Sequence, residues 1–432
     1  MSAPARPGDE RRVVLLLNNP FVADSRSWKL ARSLALAGWT VTVVARPGGG
    51  QPEREERDGF AVIRIDQPRP LAWLPTARLP EAATGDPTGN PTQPSKSALA
   101  LLRSAATELI GRPVQAVRYL RLAGQWADRI ARVVPEADIW QAEGMITLPV
   151  ALELRRRLGG RVVYDARDLH VESSRFARLP GPWRRLLARR ERGWARAADA
   201  TLTVNRPYAE VIERRLGVRP TIVFNGPLSV GVAQPVPIRE RLGRPPTVRI
   251  VLCLGNVAPG RGVEQLCRAI ADVPDAVLLV VGPGGDFRER LRLEAERLPA
   301  ADRIQFLPEV APPDIPAWTA AADVAAMPIQ PTTLNHRLTT PTRLFDALGA
   351  GVPIVASDLP GMAEIVLQTG AGVVCDPADP AAIAGALREV LDASPERRAE
   401  LRAAALAAAE GTYAWDRQVE TLLGVYRAVL SA

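Results

Sequence analysis

The feature that most constrains the fold is a recurring unit: a short unbroken apolar run, a loop rich in Gly, Asn, Asp or Pro, then apolar residues at helical spacing. Such runs stand at 12–17 (RVVLLL), 40–45 (TVTVVA), 161–164 (RVVY), 200–204 (ATLTV) and 221–224 in the first half. In the second half they stand at RIVLCL and at 277–281, 304–306, 323–327 and 353–356. A strand that is apolar on both faces must be covered on both faces, as in a parallel sheet flanked by helices. The alternation predicts an α/β protein with doubly wound parallel sheets. Ligands of such sheets gather outside the carboxyl ends of the strands, so the loops after these runs are where functional residues are expected.

A chain of 432 residues is too long for one usual core and suits two domains of about 200 residues each. Apolar residues, at 47%, suffice to fill both. No run of 18 apolar residues occurs and the amino terminus is charged and Pro-rich, which predicts neither a membrane span nor a signal peptide and a cytoplasmic location. Cys253, Cys267 and Cys375 show no metal-ligand spacing, so reduced thiols are expected, with Cys253 in an apolar run as core. There are only two lysines, Lys29 and Lys96. Neither follows a glycine in a Walker-type phosphate loop, and neither lies in the second half, where a Schiff-base lysine of a pyridoxal-phosphate phosphorylase would be needed. No Asp-x-Asp pair exists to clamp a metal.

The net charge of +8 is uneven, since residues 95–197 hold 20 Lys plus Arg against 10 Asp plus Glu. Within them, 175–196 (RFARLPGPWRRLLARRERGWAR) carries eight arginines and one glutamate, interleaved with Trp183, Leu186, Leu187 and Trp194. The pattern admits an amphipathic helix on an anionic membrane face, or a solvated helix whose apolar side packs on its own domain. No nucleic-acid-binding module accompanies the charge.

The stretch Thr332–Val366 bears most directly on chemistry. Pro341 suits a first helical turn, Leu344, Phe345 and Leu348 repeat at helical spacing, Gly351 and Pro353 end the helix, and Ile354–Ala356 begin a buried strand. Asp346 is thereby expected near a helix start, where its carboxylate can accept from paired hydroxyls of a ribose while N–H groups around Thr339–Thr342 face a phosphate. An ordinary αβ unit with a capping acid is the alternative. In GNVAPGRGVEQL, Gly255, Gly260 and Gly262 allow close backbone approach and Arg261 supplies a cation, together a diphosphate site. VGPGGD places Gly282 and Gly284 at another strand end, which on its own reads equally as a plain βα turn.

These segments resemble glycosyltransferase family 4, the retaining transferases of the GT-B fold. In that family a Glu, seven residues and a second Glu precede A-x-G-x-P-V-V-A-S, and here Asp346 takes the second place and Leu338 the first. The resemblance implies that Asp346 holds the donor ribose. The sugar contact of the first acid is then missing, or supplied by Asn335 or His336. GNVAPGRG is similar to the family's G-R-x-x-x-x-K-G, with Asn256 on the arginine and Arg261 on the lysine, and Arg343 is the expected replacement for the lost cation. Gly282 and Gly284 would lie near the nucleobase. DARDLHVES resembles a subgroup reading R-D-L-W-P-E-S, which brings Arg167, Asp168 and His170 forward as residues of the acceptor loop. A surface histidine without a role is the alternative for His170.

The resemblance implies a GT-B chain of two Rossmann-like domains facing a central cleft: an acceptor domain at 1–226 with a Pro-rich insert at about 67–94, a linker at 227–247, a nucleotide-sugar domain at 248–414 and a crossing-back helix at 415–432. It implies a nucleoside-diphosphate sugar donor, a saccharide or lipid-linked acceptor and retention with no cofactor; the lack of an Asp-x-Asp pair adds the expectation of metal-independent catalysis, and the arginine-rich segment admits peripheral contact with an anionic membrane. A nucleotide-sugar epimerase of the same architecture and a non-catalytic nucleotide-sugar binder are the rival readings.

Overall fold

The computed structural model describes residues 11–67 and 122–432, apart from 23, 49, 174, 175, 178, 232 and 233. The expected insert at about 67–94, Gln67 aside, and the expected helix at 97–110 lie outside the described residues, and of the expected helix at 114–134 the described part forms Ala123–Ala131. The chain divides into two compact units, one made of Met1–Leu202, Ile212–Pro220 and Tyr426–Ala432 and the other of Thr203–Val211 and Thr221–Val425. Residues 227–247, expected as a linker, belong to the second of these.

The first sheet contains β1 (Arg12–Leu16), β2 (Thr40–Ala45), β3 (Arg54–Arg57), β4 (Phe60–Arg64), β5 (Ile139–Glu143), β6 (Arg161–Asp165), β7 (Ala200–Thr203) and the short β8 (Thr221–Ile222). Their order is β3-β4-β2-β1-β5-β6-β7-β8. β1 lies between β2 and β5, with Val13 opposite both Val41 and Ile139. Val13, Leu15, Leu16, Val43, Ile139 and Val163 are fully buried, as strands covered on both faces require. One edge departs from the all-parallel expectation, because β3 pairs antiparallel with β4 across the Asp58–Gly59 turn. The charged sequence REER suits an edge strand facing water.

The second sheet is parallel throughout and contains β9 (Arg249–Leu254), β10 (Ala276–Val281), β11 (Ile304–Leu307), β12 (Val324–Met327), β13 (Ile354–Ser357) and β14 (Gly372–Cys375). Its order is β11-β10-β9-β12-β13-β14. Numbered from β9, that is 3-2-1-4-5-6, the doubly wound order in which the chain reverses direction between the first and fourth strands. The first sheet repeats the plan, with β1 and β5 at its reversal. Val251, Leu278, Val280, Val324 and Val355 fill one side of the second sheet, and Ile250, Leu252, Val277 and Leu279 the other. All three cysteines are free and buried.

The arginine-rich segment forms the helix Gly181–Ala197. Leu187 is buried in a cluster with Met145, Ile146, Val171, Phe176 and Leu179, and Trp194 packs against it. Much of the apolar side thus faces the unit's own core, leaving Leu186 as its exposed large apolar residue, with Arg184, Arg185, Arg189 and Arg190 outward. Among the described residues no helix is long and apolar enough to cross a membrane.

Candidate functional site

In the second unit the loops after β9, β10 and β12 interlock through glycines. A Cβ added at Gly262 would stand 1.8 Å from the Pro328 carbonyl oxygen, and one added at Gly282 would stand 2.2 Å from that of Gly255. Gly262 also has φ 73, a left-handed conformation that caps the helix Val263–Ala269 and disfavours any other residue. At Gly260 the neighbours are Thr332 Oγ1 at 2.9 Å and the His336 ring at 3.1 Å. Gly284 caps the helix Gly285–Ala295, and a Cβ there would meet the Val257 carbonyl at 2.4 Å. Five of the predicted glycines, Gly255, Gly260, Gly262, Gly282 and Gly284, therefore share one neighbourhood beside the β9–β12 reversal.

Arg343 reaches into it from the helix Thr342–Ala350. Its Nη1 donates to the Leu254 carbonyl at 2.6 Å, while Nε and Nη2 are buried without a hydrogen-bond partner. Burial lowers its pKa, and the charge of Arg261 lowers it further, so the two predicted cations lie within each other's field. Asn256 is exposed on the same loop. A buried guanidinium with two unused donor nitrogens, next to a second cation, is arranged to receive an anion.

Asp346 needs a correction. Pro341 is not in the first turn but is the extended N-cap (ψ 144), so the helix begins at Thr342 and Asp346 is its fifth residue, a full turn inside. The carboxylate does not open the helix: counted from Pro341 it would be the sixth residue and counted from Thr342 it is the fifth, more than one turn of about 3.6 residues from the start either way. The Thr339 N–H is also engaged, with the His336 carbonyl at 3.4 Å. The helix ends at Gly351 in a left-handed cap, as expected.

The segment before it is fastened down within the same unit. The Tyr208 hydroxyl lies 2.8 Å from Asn335 Oδ1 and 3.0 Å from its carbonyl oxygen, and Asn205 Nδ2 donates to the Leu338 carbonyl (2.8 Å) and Thr340 Oγ1 (3.0 Å). Of the two residues named for the missing sugar contact, Asn335 uses its oxygen to hold this helix. His336 lies against the glycine loop after β9, with Nδ1 2.7 Å from Thr332 Oγ1.

In the first unit Arg167, Asp168 and His170 follow β6 and converge on the β1–β5 reversal. Arg167 donates through Nη1 and Nη2 to the two Asp24 oxygens at 3.1 and 2.9 Å, and Nη1 also reaches Ser27 Oγ at 3.1 Å. Burial alone would raise the Asp24 pKa, but Arg167 and the Ser27 N–H bring it down to about 2. The Arg26 guanidinium binds Asp165 from Nε at 3.0 Å and Nη2 at 3.3 Å. His170 has Nδ1 3.2 Å from the Asp168 carbonyl, which assigns the ring proton to Nδ1, and burial lowers its pKa. Its ring fills the space over Gly144, where a Cβ would be 2.6 Å from Cε1. Glu172 is turned to Arg215 at 2.5 Å.

Asp24, Arg26, Glu143 and Asp165, which surround Arg167, were not named as site residues from the sequence. Asp24 was legible as an N-cap, since it precedes SRSWKL and accepts from the Ser27 N–H. Glu143 carried no such signal.

Residues 237–407 match the Glycosyl transferases group 1 family. Among curated proteins, D-inositol 3-phosphate glycosyltransferase of Xylanimonas cellulosilytica is 31% identical over 53% of this chain and 57% of its own length. The GDP-mannose-dependent alpha-(1-6)-phosphatidylinositol monomannoside mannosyltransferase of Mycolicibacterium smegmatis is 34% identical over 38% of this chain and 44% of its own. The chain thus spans about half the length of these relatives. Among solved structures, sucrose-phosphate synthase from Thermosynechococcus elongatus superposes with a TM-score of 0.72 at 18% identity, over 98% of this chain and 100% of that one. Anabaena HepE in complex with UDP and glucose gives 0.69 at 15%, over 97% and 100%. At such identities these neighbours show the fold, which is GT-B.

Proposed function

We propose that the protein is a retaining, metal-independent glycosyltransferase of family 4, moving a sugar from a nucleoside-diphosphate sugar to a hydroxyl of a cell-envelope glycan, lipid-linked or related precursor. The observation that carries this reading is Arg343, a buried cation with two unpartnered nitrogens beside Arg261 and the interlocked glycine loops. A buried charge is costly until an anion with matching acceptors arrives, and a diphosphate supplies both. The reading is supported by the names of the relatives, which act on inositol phosphate or use GDP-mannose, and by the UDP held in the HepE structure.

In the reaction proposed, the bond between the sugar's anomeric carbon and the diphosphate oxygen breaks, and negative charge grows on the leaving diphosphate. Arg261 and Arg343 stabilise that charge most strongly in the transition state, which is where an interaction must strengthen to accelerate the step. The acceptor oxygen bonds to the same face of the anomeric carbon and its proton passes to the departing phosphate oxygen, so no separate carboxylate base is needed. Asp346 is proposed to hold the ribose, Gly282 and Gly284 to lie under the base, His336 to face the donor sugar, and Arg167, Asp168 and His170 to shape the acceptor loop. Action at the cytoplasmic face of a membrane is supported by the outward arginines of the helix Gly181–Ala197.

A panel of nucleoside diphosphates, read by thermal shift, tests the donor site and selects the base. Turnover is then assayed with nucleotide sugar in the presence and absence of glycolipid and saccharide acceptors. Nucleoside diphosphate released only when an acceptor is present supports the transferase. Binding with no release under any acceptor overturns it in favour of a binder, and conversion of the donor alone points to an epimerase.

A further inference from the structure

Glu143 is the last residue of β5, at the reversal of the first sheet, and its side chain is wholly buried. The groups around it come from several elements. On its own strand Gln141 Nε2 donates to Glu143 Oε1 at 2.6 Å, and Gln141 Oε1 in turn accepts from the Tyr426 hydroxyl at 2.5 Å. On β6 Asp165 stands directly opposite in register. Arg26 and Asp24 approach from the helix Ser25–Leu36 and its cap, Arg167 from the loop after β6, and the neutral His170 ring covers the adjacent Gly144.

The charges in this cluster have definite partners. Arg167 is forked onto Asp24, and Arg26 is forked onto Asp165. Glu143 is the third carboxyl beside two guanidiniums already matched. Its Oε2 is buried with no hydrogen-bond partner, and Arg167 Nη1 lies 3.6 Å away, within ion-pair range but beyond hydrogen-bond distance. An ionised carboxylate at that distance would compete with Asp24 for the guanidinium, and would not be left with an empty oxygen. An uncharged acid does not pull on the guanidinium in this way.

We propose that Glu143 is a positioning residue for the acceptor loop: held in its uncharged acid form, it leaves Arg167 seated on Asp24, and on losing its proton it draws Arg167 away and loosens the loop from Arg167 to Glu172. Its place in catalysis rests on the glycosyltransferase reading, while its effect on the loop does not. Burial and the neighbouring Asp165 charge, acting against Arg167, push the Glu143 pKa up to about 8, so the change falls at mildly alkaline pH.

The test uses the full-length protein and Glu143→Gln, which fixes the uncharged shape. Amide hydrogen exchange over residues 166–173 is compared between the two proteins at the same pH, from 6.5 to 9.5. The expected result is equal protection at pH 6.5 and several-fold faster exchange in the wild type above pH 8, absent from Glu143→Gln. Identical exchange in both proteins at every pH overturns the proposal. Should the variant fail to fold, carboxyl carbon resonances of glutamate-labelled wild-type protein serve instead. A buried glutamate titrating near pH 8, together with loosening of the loop over the same range, supports the assignment, and titration of every glutamate below pH 6 sinks it. For an acceptor that is turned over, KM should rise several-fold through the same pH range with kcat little changed, and the rise should vanish in Glu143→Gln. A chain that turns over no acceptor yet shows the exchange difference would refute the transferase reading and leave the Glu143 assignment standing.

Discussion

The two sheets reverse in the same way, and their reversal points are built on opposite electrostatic plans. At β9–β12 the cations Arg343 and Arg261 lie together, and Arg343 keeps two buried nitrogens unused. At β1–β5 the arginines are already matched, Arg167 by Asp24 and Arg26 by Asp165. The first arrangement leaves donor nitrogens unmet without an anion, while in the second both guanidiniums are already met by carboxylates. A doubly wound sheet thus supplies the place for a ligand, while the pairing of its charges decides whether the ligand must bring charge along.

The sharpest way to break this contrast is to remove the unmatched cation. Arg343→Met should raise the melting temperature of the nucleotide-free protein, since an unpaired buried charge disappears, and should weaken nucleoside-diphosphate binding about ten- to hundredfold, the equivalent of about 1.5–3 kcal/mol. A lower melting temperature with unchanged affinity would show that Arg343 is structural. Arg261→Ala should depress turnover by a similar factor with little effect on melting. If Arg261 matters and Arg343 does not, the idea that Arg343 makes up for Asn256 is wrong.

The matched site should respond to acid instead. Because the folded Asp24 pKa is depressed from 3.8 to about 2, its contribution is fully present above pH 3.8 and is lost as the pH falls toward 2. Asp24→Asn should therefore cost about 2 kcal/mol near neutrality and flatten the acid limb of a denaturation series. An unchanged acid limb would mean that the Arg167–Asp24 fork contributes nothing net.

Asp346→Ala should weaken nucleotide binding by roughly 1 kcal/mol through lost hydroxyl contacts, and Asp346→Glu should be tolerated. Titration calorimetry with a nucleoside diphosphate and with the free base distinguishes a ribose contact from a general loss. The smallest effect is expected at the helix Gly181–Ala197. With Leu187 buried and Trp194 packed inward, attachment to anionic vesicles should be electrostatic and should fade as salt shortens the Debye length from about 10 Å at 0.1 M to about 3 Å at 1 M. Salt-resistant sedimentation would mean that more than the arginines meets the lipid.

Much of this architecture was legible in the sequence, because a strand buried on both faces needs an apolar run and little else in the chain imitates one. The elements that escaped are those whose burial contradicts their composition. IWQAE does not read as a buried strand, yet Gln141 and Glu143 are buried there because they bond to each other and, through Gln141, to Tyr426. REER escaped for the opposite reason, being an edge strand with no apolar side to show. Around Asp346 the helix and the following strand were readable and the register was not, since a proline can stand at a helix cap or one place inside it, and the difference moved Asp346 from the sixth helical position to the fifth. Glu143 was invisible because a sequence does not record how many carboxyls share how few arginines.

The interlocked glycines of the second unit bear on the tempo of binding. With Gly262 seated against the Pro328 carbonyl and Gly282 against that of Gly255, the loops after β9, β10 and β12 have no slack to take up when a nucleotide enters. On the proposed function, arrival requires no loop ordering and is expected at an ordinary docking rate, much alike for related nucleotides, so that selectivity among them would be written in residence times.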